Sequence, residues 1–306
     1  MTTDCSTRST YGQLALAKVD DATFADFDGT AVAYEYLSES IRMQQTHGGG
    51  QGIRGTRSHN AERTRILAER VGGSITLEPN PTELALLFEL GMGSAPTGAV
   101  YSLAEQLPWF GCLLDRVQRR FVYTNCVVGR MTISSQEGQP IQVTLEIEAS
   151  TETEEPAVWP AAIEPVTLGQ PYIHADTTFS LAADNSASQV RAWTLVIDNV
   201  LDADRFMNSI TRECIPTNDR NVTLSMQIPY TADSVDLHDQ SIAGAAGQLV
   251  LTNGVSNTTF DFVNLKSPAS TPVTSRRGDE VFLDLNMKAY ETVTPAVKEL
   301  IVTHTI

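Results

Sequence analysis

The sequence predicts a mainly β protein built from two tandem β-sandwich or barrel units, each with one short helix. Three observations carry this. Apolar and polar residues alternate at period two in segment after segment, which gives half-buried strands. Only one stretch has strong helical character. The order of the segments repeats along the chain. The 306 residues, 42% hydrophobic and 19% charged, suit a globular chain that buries a real core.

The elements follow in order. Residues 1–30 are rich in Ser, Thr and Asp and read as an irregular N-terminal arm. Val32 to Ile41 reads as a first strand. Arg42 to Gly73 is polar and contains His47-Gly-Gly-Gly-Gln-Gly, and a loop of that length is usually functional. Ser74-Ile-Thr-Leu-Glu alternates and ends at Pro79 and Pro81. Thr82 is the expected N-cap of a helix over Glu83–Leu90, stopped by Gly91 and Gly93. Strands are expected at Phe110–Gln118, Phe121–Ser134 and Pro140–Ser150, with a turn at Gln136-Glu-Gly-Gln. Residues 151–170 are acidic and Pro-rich, as a linker would be. The second half reads as strands at Thr177–Leu181, Arg191–Asn199 and Asn221–Ile228, a short helix over Ala232–His238, and strands at Gln248–Thr252, Thr258–Leu265, Val281–Tyr290 and Leu300–Thr303.

The repeat sets the domain division. Gly138 to Ala149 aligns without gaps with Gly278 to Ala289. Ile75-Thr-Leu matches Val222-Thr-Leu, Gly111-Cys-Leu-Leu matches Gly247-Gln-Leu-Val, and Phe121 to Asn125 matches Phe260 to Asn264. The long segment 42–73 has its counterpart in 199–220. The expected units are therefore 31–150 and 171–306. In their last strands Val143, Leu145, Ile147, Leu283, Leu285 and Met287 face the core. Thr144, Glu146, Glu148, Phe282, Asp284, Asn286 and Lys288 face the other way.

Charge is unevenly spread. Lys and Arg number 21 against 37 Asp and Glu, a formal net charge of −16. That excludes a protein that grips nucleic acid through clustered cations. Yet Arg42, Arg54, Arg57, Arg63, Arg65 and Arg70 stand together against only Glu62 and Glu69. The segment 137–165 holds seven Glu and no Lys or Arg.

Catalytic patterns are lacking. His47-Gly-Gly-Gly resembles an esterase oxyanion loop, but no G-x-S-x-G elbow accompanies it. There is no phosphate-binding loop, zinc-protease motif or dinucleotide fingerprint. The five histidines have no ligand spacing, and no CxxC occurs. Glu146 and Glu148 read as a solvated strand face rather than an acid/base pair. So no catalytic, cofactor or metal residue is expected. A Cys112–Cys126 bridge across a hairpin is conceivable, but reduced, half-buried thiols are the favoured state. No apolar run reaches the ~18 residues of a membrane span, and the polar start lacks a signal core. A cytoplasmic site of synthesis and use is expected.

Several stretches carry a resemblance: Tyr36-Leu-Ser-Glu-Ser-Ile-Arg, Gly72-Gly-Ser-Ile-Thr-Leu-Glu, the helix to Gly91, Tyr123-Thr-Asn-Cys-Val-Val-Gly-Arg-Met-Thr-Ile, Trp193-Thr-Leu-Val-Ile-Asp-Asn and Arg220-Asn-Val-Thr-Leu-Ser-Met-Gln-Ile. Over roughly residues 30–291 the chain resembles the major tail tube proteins of long-tailed, non-contractile bacteriophages. The resemblance implies a structural virion protein, not an enzyme. Its rings would surround a channel lined by one β-barrel shared between folds, and the rings would stack into a tail. Two folds per chain imply a homotrimeric, pseudo-hexameric ring. The implied partners are further copies of the chain, a tape-measure protein in the lumen, terminator and distal tail or baseplate proteins at the ends, and double-stranded DNA in transit without sequence-specific binding. No membrane is involved, and the tail would be assembled in the host cytoplasm. On this reading Glu146, Glu148, Glu280 and Asp284 face the lumen, and the six arginines of 42–70 contact the next ring. Another ring-forming virion protein (tail terminator, distal tail or baseplate component, or capsid decoration) is the alternative.

Overall fold

Alternation in the sequence becomes a chain of antiparallel ladders. The computed structural model describes residues 12–29, 31–49, 58, 61–155, 159–160, 163, 166, 168–182, 189–269, 281–291 and 298–306. The strands of the first half are β1 (Gln13–Ala17), β2 (Val32–Tyr34), β3 (Tyr36–Glu39), β4 (Arg42–Gly48), β5 (Arg65–Leu77), β6 (Val100–Ser102), β7 (Phe110–Asp115), β8 (Arg120–Gln136), β9 (Gln142–Ala149) and β10 (Thr151–Glu155). Those of the second half are β11 (Thr177–Leu181), β12 (Ala192–Asp198), β13 (Asn221–Pro229), β14 (Ala245–Thr252), β15 (Asn257–Lys266), β16 (Phe282–Ala289) and β17 (Leu300–Thr305). The α-helices among the described residues are α1 (Pro81–Met92) and α2 (Ala232–Ala243).

β8 belongs to two ladders. Its first part pairs with β7 and β10, and its second with β9 and β12. The change falls at Asn125, whose φ is 49°. Asparagine tolerates the left-handed region, and a bulge re-aims a strand. The Asn125 side chain is fixed by Asp21, accepting from its backbone N–H at 2.8 Å and donating to its carboxylate at 2.6 Å.

One polar-faced sheet runs across both halves, with β3 and β4 on β5, then β9, β8, β12, β13 and β16. Its other face buries Val143, Leu145, Ile147, Leu195, Ile197, Leu283, Leu285 and Met287, all at 1% exposure or less. These join one hydrophobic core with Leu14, Leu16, Phe88, Leu114, Phe179, Leu249 and Phe260 from the helix and the remaining strands. The expected facing of both last strands therefore holds.

The same pairing scheme occurs in each half. β7 lies between β1 and β8, as β14 lies between β11 and β15. β9 pairs β5, as β16 pairs β13. Both helices follow the corresponding strand, β5 or β13. Register corrects the sequence alignment here. Gly72 pairs Glu148 and Thr223 pairs Lys288, so Val71, not Ile75, corresponds to Val222. The β7–β8 and β14–β15 ladders break between Phe110/Cys112 and between Ala245/Gly247, so Cys112, not Gly111, corresponds to Gly247.

Other expectations change. Residues 13–17 are not an irregular arm, because Leu14, Ala15, Leu16 and Ala17 are fully buried between β2 and β7. The first five residues of the expected linker are β10. The expected loop 42–73 is largely the β4–β5 hairpin, held by backbone pairing from Arg42–Gly72 to Gly48–Arg65. Asn80, not Thr82, caps α1: it accepts from the Glu83 N–H at 3.1 Å, and Glu83 accepts from the Asn80 N–H at 2.9 Å. Gly93 ends the helix at φ 92°. Gly91 lets α1 lie against Met131, whose Sδ is 2.6 Å from where a Cβ would stand. α2 runs on to Ala243, capped by Thr231 and burying Ser234, Leu237 and Ser241 along one side.

Candidate functional site

The outward face of the long sheet is carpeted with hydroxyls. One row across it reads Ser38, Thr76, Thr144, Thr132, Val196, Thr223 and Lys288. A second reads Ser134, Thr194, Ser225 and Asn286. The Thr76 and Thr144 hydroxyls bond at 3.1 Å, a cross-strand pair of the kind that stabilises sheets.

Charges on this face are sparse and mostly paired. Glu146 and Asp198 flank Arg130, which donates to them at 3.2 Å and 2.7 Å. Asp284 accepts from Gln227 at 3.0 Å. Glu280 lies outside the described residues. Glu148 is at the strand end, where residues 199–220 fold back over the sheet. There Arg212, 2% exposed, donates to the Glu148 carboxylate at 2.6 Å, to the carbonyls of Ala149 at 2.9 Å and Ala203 at 3.2 Å, and to that of Val71. The start of the same loop is fixed by buried Asn199, which donates to the carbonyls of Gly91 and Val128 at 3.1 Å each. Sequence reasoning missed this clasp, for one arginine in a polar loop carries no pattern.

The arginine set separates. Arg42, Arg63 and Arg65 are exposed on or beside the β4–β5 hairpin. Arg70 is also exposed, but it reaches across to the second half, 2.8 Å from Asp204 and over the Phe206 ring at 5.8 Å. Arg54 and Arg57 lie outside the described residues. His47 sits in β4 opposite Ile66, in a strand rather than an oxyanion loop.

The strongly shifted groups are core groups. Burial raises the Cys112 and Cys126 thiols, both free and fully buried rather than half-buried, and raises the Tyr123 phenol. Cys214 is free and partly buried. His304 is pushed down by burial, its Nε2 donating to the Pro81 carbonyl at 2.8 Å and its Nδ1 2.8 Å from the Thr258 hydroxyl. Among the described residues no group of His, Cys, Asp and Glu is placed to hold a metal ion. Nor is any helix among them long and apolar enough to cross a membrane.

Among the described residues the candidate site is thus a broad polar sheet face fringed by a hairpin with exposed arginines. The family model described as phage tail tube protein matches residues 8–289, and the chain belongs to that family. It is a structural protein of the phage tail and not an enzyme. A comparison with curated proteins finds no match.

Proposed function

We propose that this chain builds the tail tube of a long-tailed, non-contractile phage, as three-chain, pseudo-six-fold rings stacked around the path of DNA ejection. The observation that carries the reading is the β8–β12 ladder. It pairs Gln136 with Ala192 through to Arg130 with Asp198 and fuses the sheets of the two halves into one. Each half contributes strands in the same order, which supports reading the chain as two copies of one unit joined side by side. β12 pairs β13 on one side and β8 on the other. Among the described residues its counterpart, β3 with β4, pairs β5 alone. That open edge is where the next chain continues the sheet, and such joining removes an aggregation-prone edge.

Eight such strands per chain, with β3 and β4 as one and β15 joining β16 through Leu265–Ala289, give about 24 in a trimer, well above the 16–18 at which barrels enclose a channel. At the usual strand spacing and tilt the barrel is more than about 40 Å across at the backbone, enough for duplex DNA. The hydroxyl face would line this lumen with Glu146, Glu280 and Asp284. With few free cations it offers DNA no phosphate clamp. The tape-measure protein would occupy the same channel before ejection. Terminator and distal tail proteins would close the ends, with assembly in the host cytoplasm. The exposed Arg42, Arg63 and Arg65, together with Arg54 and Arg57, would meet the acidic face of the neighbouring ring. Head-to-tail contacts of this kind do not close and so propagate a filament.

Negative-stain electron microscopy of the purified chain tests this. Long hollow tubes are expected. Isolated rings would indicate a tail-end component instead, and persistent monomers would refute self-assembly.

A further inference from the structure

Where β3 meets the start of α1, a cavity of about 190 Å³ has an acidic lining. Glu35, Glu78 and Glu83 line it beside Leu37 and Leu168, and among the described residues no Lys, Arg or His does. Leu37 and Leu168 are exposed, so the rim is apolar. Glu83 is the buried member, 5% exposed. Its Oε2 accepts from the Asn80 N–H at 2.9 Å, while its Oε1 has no hydrogen-bond partner among the described residues. A buried carboxylate oxygen left unpaired is costly. Burial raises the Glu83 carboxyl, the Asn80 N–H opposes this, and the Glu35 charge adds to the rise. The cavity is smaller than those that take whole small molecules. Its carboxylates are not grouped to hold a metal ion. The head group of one cationic side chain is its natural complement.

The repeat identifies that side chain. Ser38 pairs Thr76, which pairs Thr144; Ala192 pairs Gln227, which pairs Asp284. Ser38 therefore corresponds to Ala192, and Leu37 to Arg191. Within the chain Ala192 pairs Gln136, and the Arg191 carbonyl accepts from the Glu137 N–H at 3.0 Å. Gly138 to Ala149 aligns with Gly278 to Ala289, a register the ladders keep by matching Glu148 to Lys288. One residue before the aligned glycines stand Glu137 and Arg277. Arg277 lies outside the described residues of its own chain. In a neighbouring copy it is the counterpart of Glu137, and so the residue brought beside Leu37.

We propose that Arg277 of a second copy fills this cavity and pairs with Glu83. This rests on the two-unit ring reading and names the contact at each chain boundary. The matching contact inside the chain is reversed in charge, with Glu137 beside Arg191. Ser234 there takes the place of Glu83 at the start of α2, and its hydroxyl donates to the Thr231 carbonyl at 2.9 Å. If two first halves met, Glu137 would face Glu35, Glu78 and Glu83. That repulsion makes the two kinds of half alternate around the ring.

Cross-linking and charge reversal test the contact. Leu37→Cys/Arg277→Cys, assembled and then oxidised with copper phenanthroline, should give a non-reducing ladder of two and three chains. Leu37→Cys/Glu137→Cys should give none. Arg277→Glu and Glu35→Lys/Glu78→Lys should each lower tube yield about tenfold or more, read by sedimentation and electron microscopy. All three changes together should recover most of it. Glu83→Gln keeps an acceptor for the Asn80 N–H and should lower yield without an early melt. Tubes without a cross-link between positions 37 and 277, or a combined variant no better than the one-sided ones, overturn the proposal. So does a loss of yield in Glu83→Gln that Arg277→Glu does not share, which would assign the cavity to a cation of another protein. If a charge variant melts early, the cross-link decides alone. If wild type forms neither ring nor tube, the ring reading falls and this contact with it.

Discussion

Removing the Arg212 guanidinium is the sharpest perturbation of the fold. Arg212→Ala deletes the donor to one carboxylate and three backbone carbonyls at the junction of β5, β9 and the 199–220 loop. Breaking a fully buried ion pair costs about 3–5 kcal/mol. Here Arg212 has a side chain 1% exposed, but that of Glu148 is 36% exposed, so water reaches the orphaned carboxylate. The expected loss is the low end, about 3 kcal/mol. For a chain of this size that lowers Tm by roughly 5–10 °C. Circular dichroism melts on dilute, unassembled protein measure it, because assembly would otherwise add its own stabilisation. Arg212→Lys keeps the charge but loses the planar fork, and should recover less than half of the loss. Proteolysis within residues 201–217 should quicken in both variants. A loss under about 1 kcal/mol, or a lysine variant as stable as wild type, would refute the clasp as a stabilising contact.

Two further predictions follow from buried polar groups. His304 is held neutral in the fold, so only the unfolded chain gains its proton as pH falls. Stability should drop as pH decreases from about 6.5 towards the lowered native value, and His304→Asn should flatten that part of a urea-midpoint profile. Asn80→Ala removes the α1 cap, the side-chain oxygen that accepts from the Glu83 backbone N–H, while the backbone N–H of position 80 still donates to the Glu83 carboxylate. It should cost about 1 kcal/mol in chemical denaturation, with Asn80→Asp close to wild type.

Period-two alternation made most strands legible, because β9, β12, β13 and β16 each have one wet face and one buried face. β1 escaped because Leu14 to Ala17 are buried on both faces, leaving no alternation, and Leu and Ala are not strand formers. β10 escaped because its acidic sequence carries no apolar face, and it is held by backbone pairing to β8. The β4–β5 hairpin was hidden for the same reason. Short matches such as Ile75-Thr-Leu with Val222-Thr-Leu differ by four residues from the ladder register, in which Gly72 pairs Glu148 as Thr223 pairs Lys288. An even slip keeps every side chain on its face, so the expected core survived. At the candidate site, the outward set of Glu146, Glu148, Asp284 and Lys288 was legible from parity. Its partners Arg130, Asp198 and Arg212 were not, because they arrive from strands and a loop distant in sequence.

The central claim is that two like units within one chain set the geometry of the ring. An electron cryomicroscopy reconstruction of the assembled tube, computed without imposed rotational symmetry, tests it most directly. The account predicts three chains per ring, with the two halves alternating and the β3–β4 edge of each chain continuing the sheet of the next as β12 continues β8. Six identical chains per ring, or a sheet that stops at every chain boundary, would contradict it.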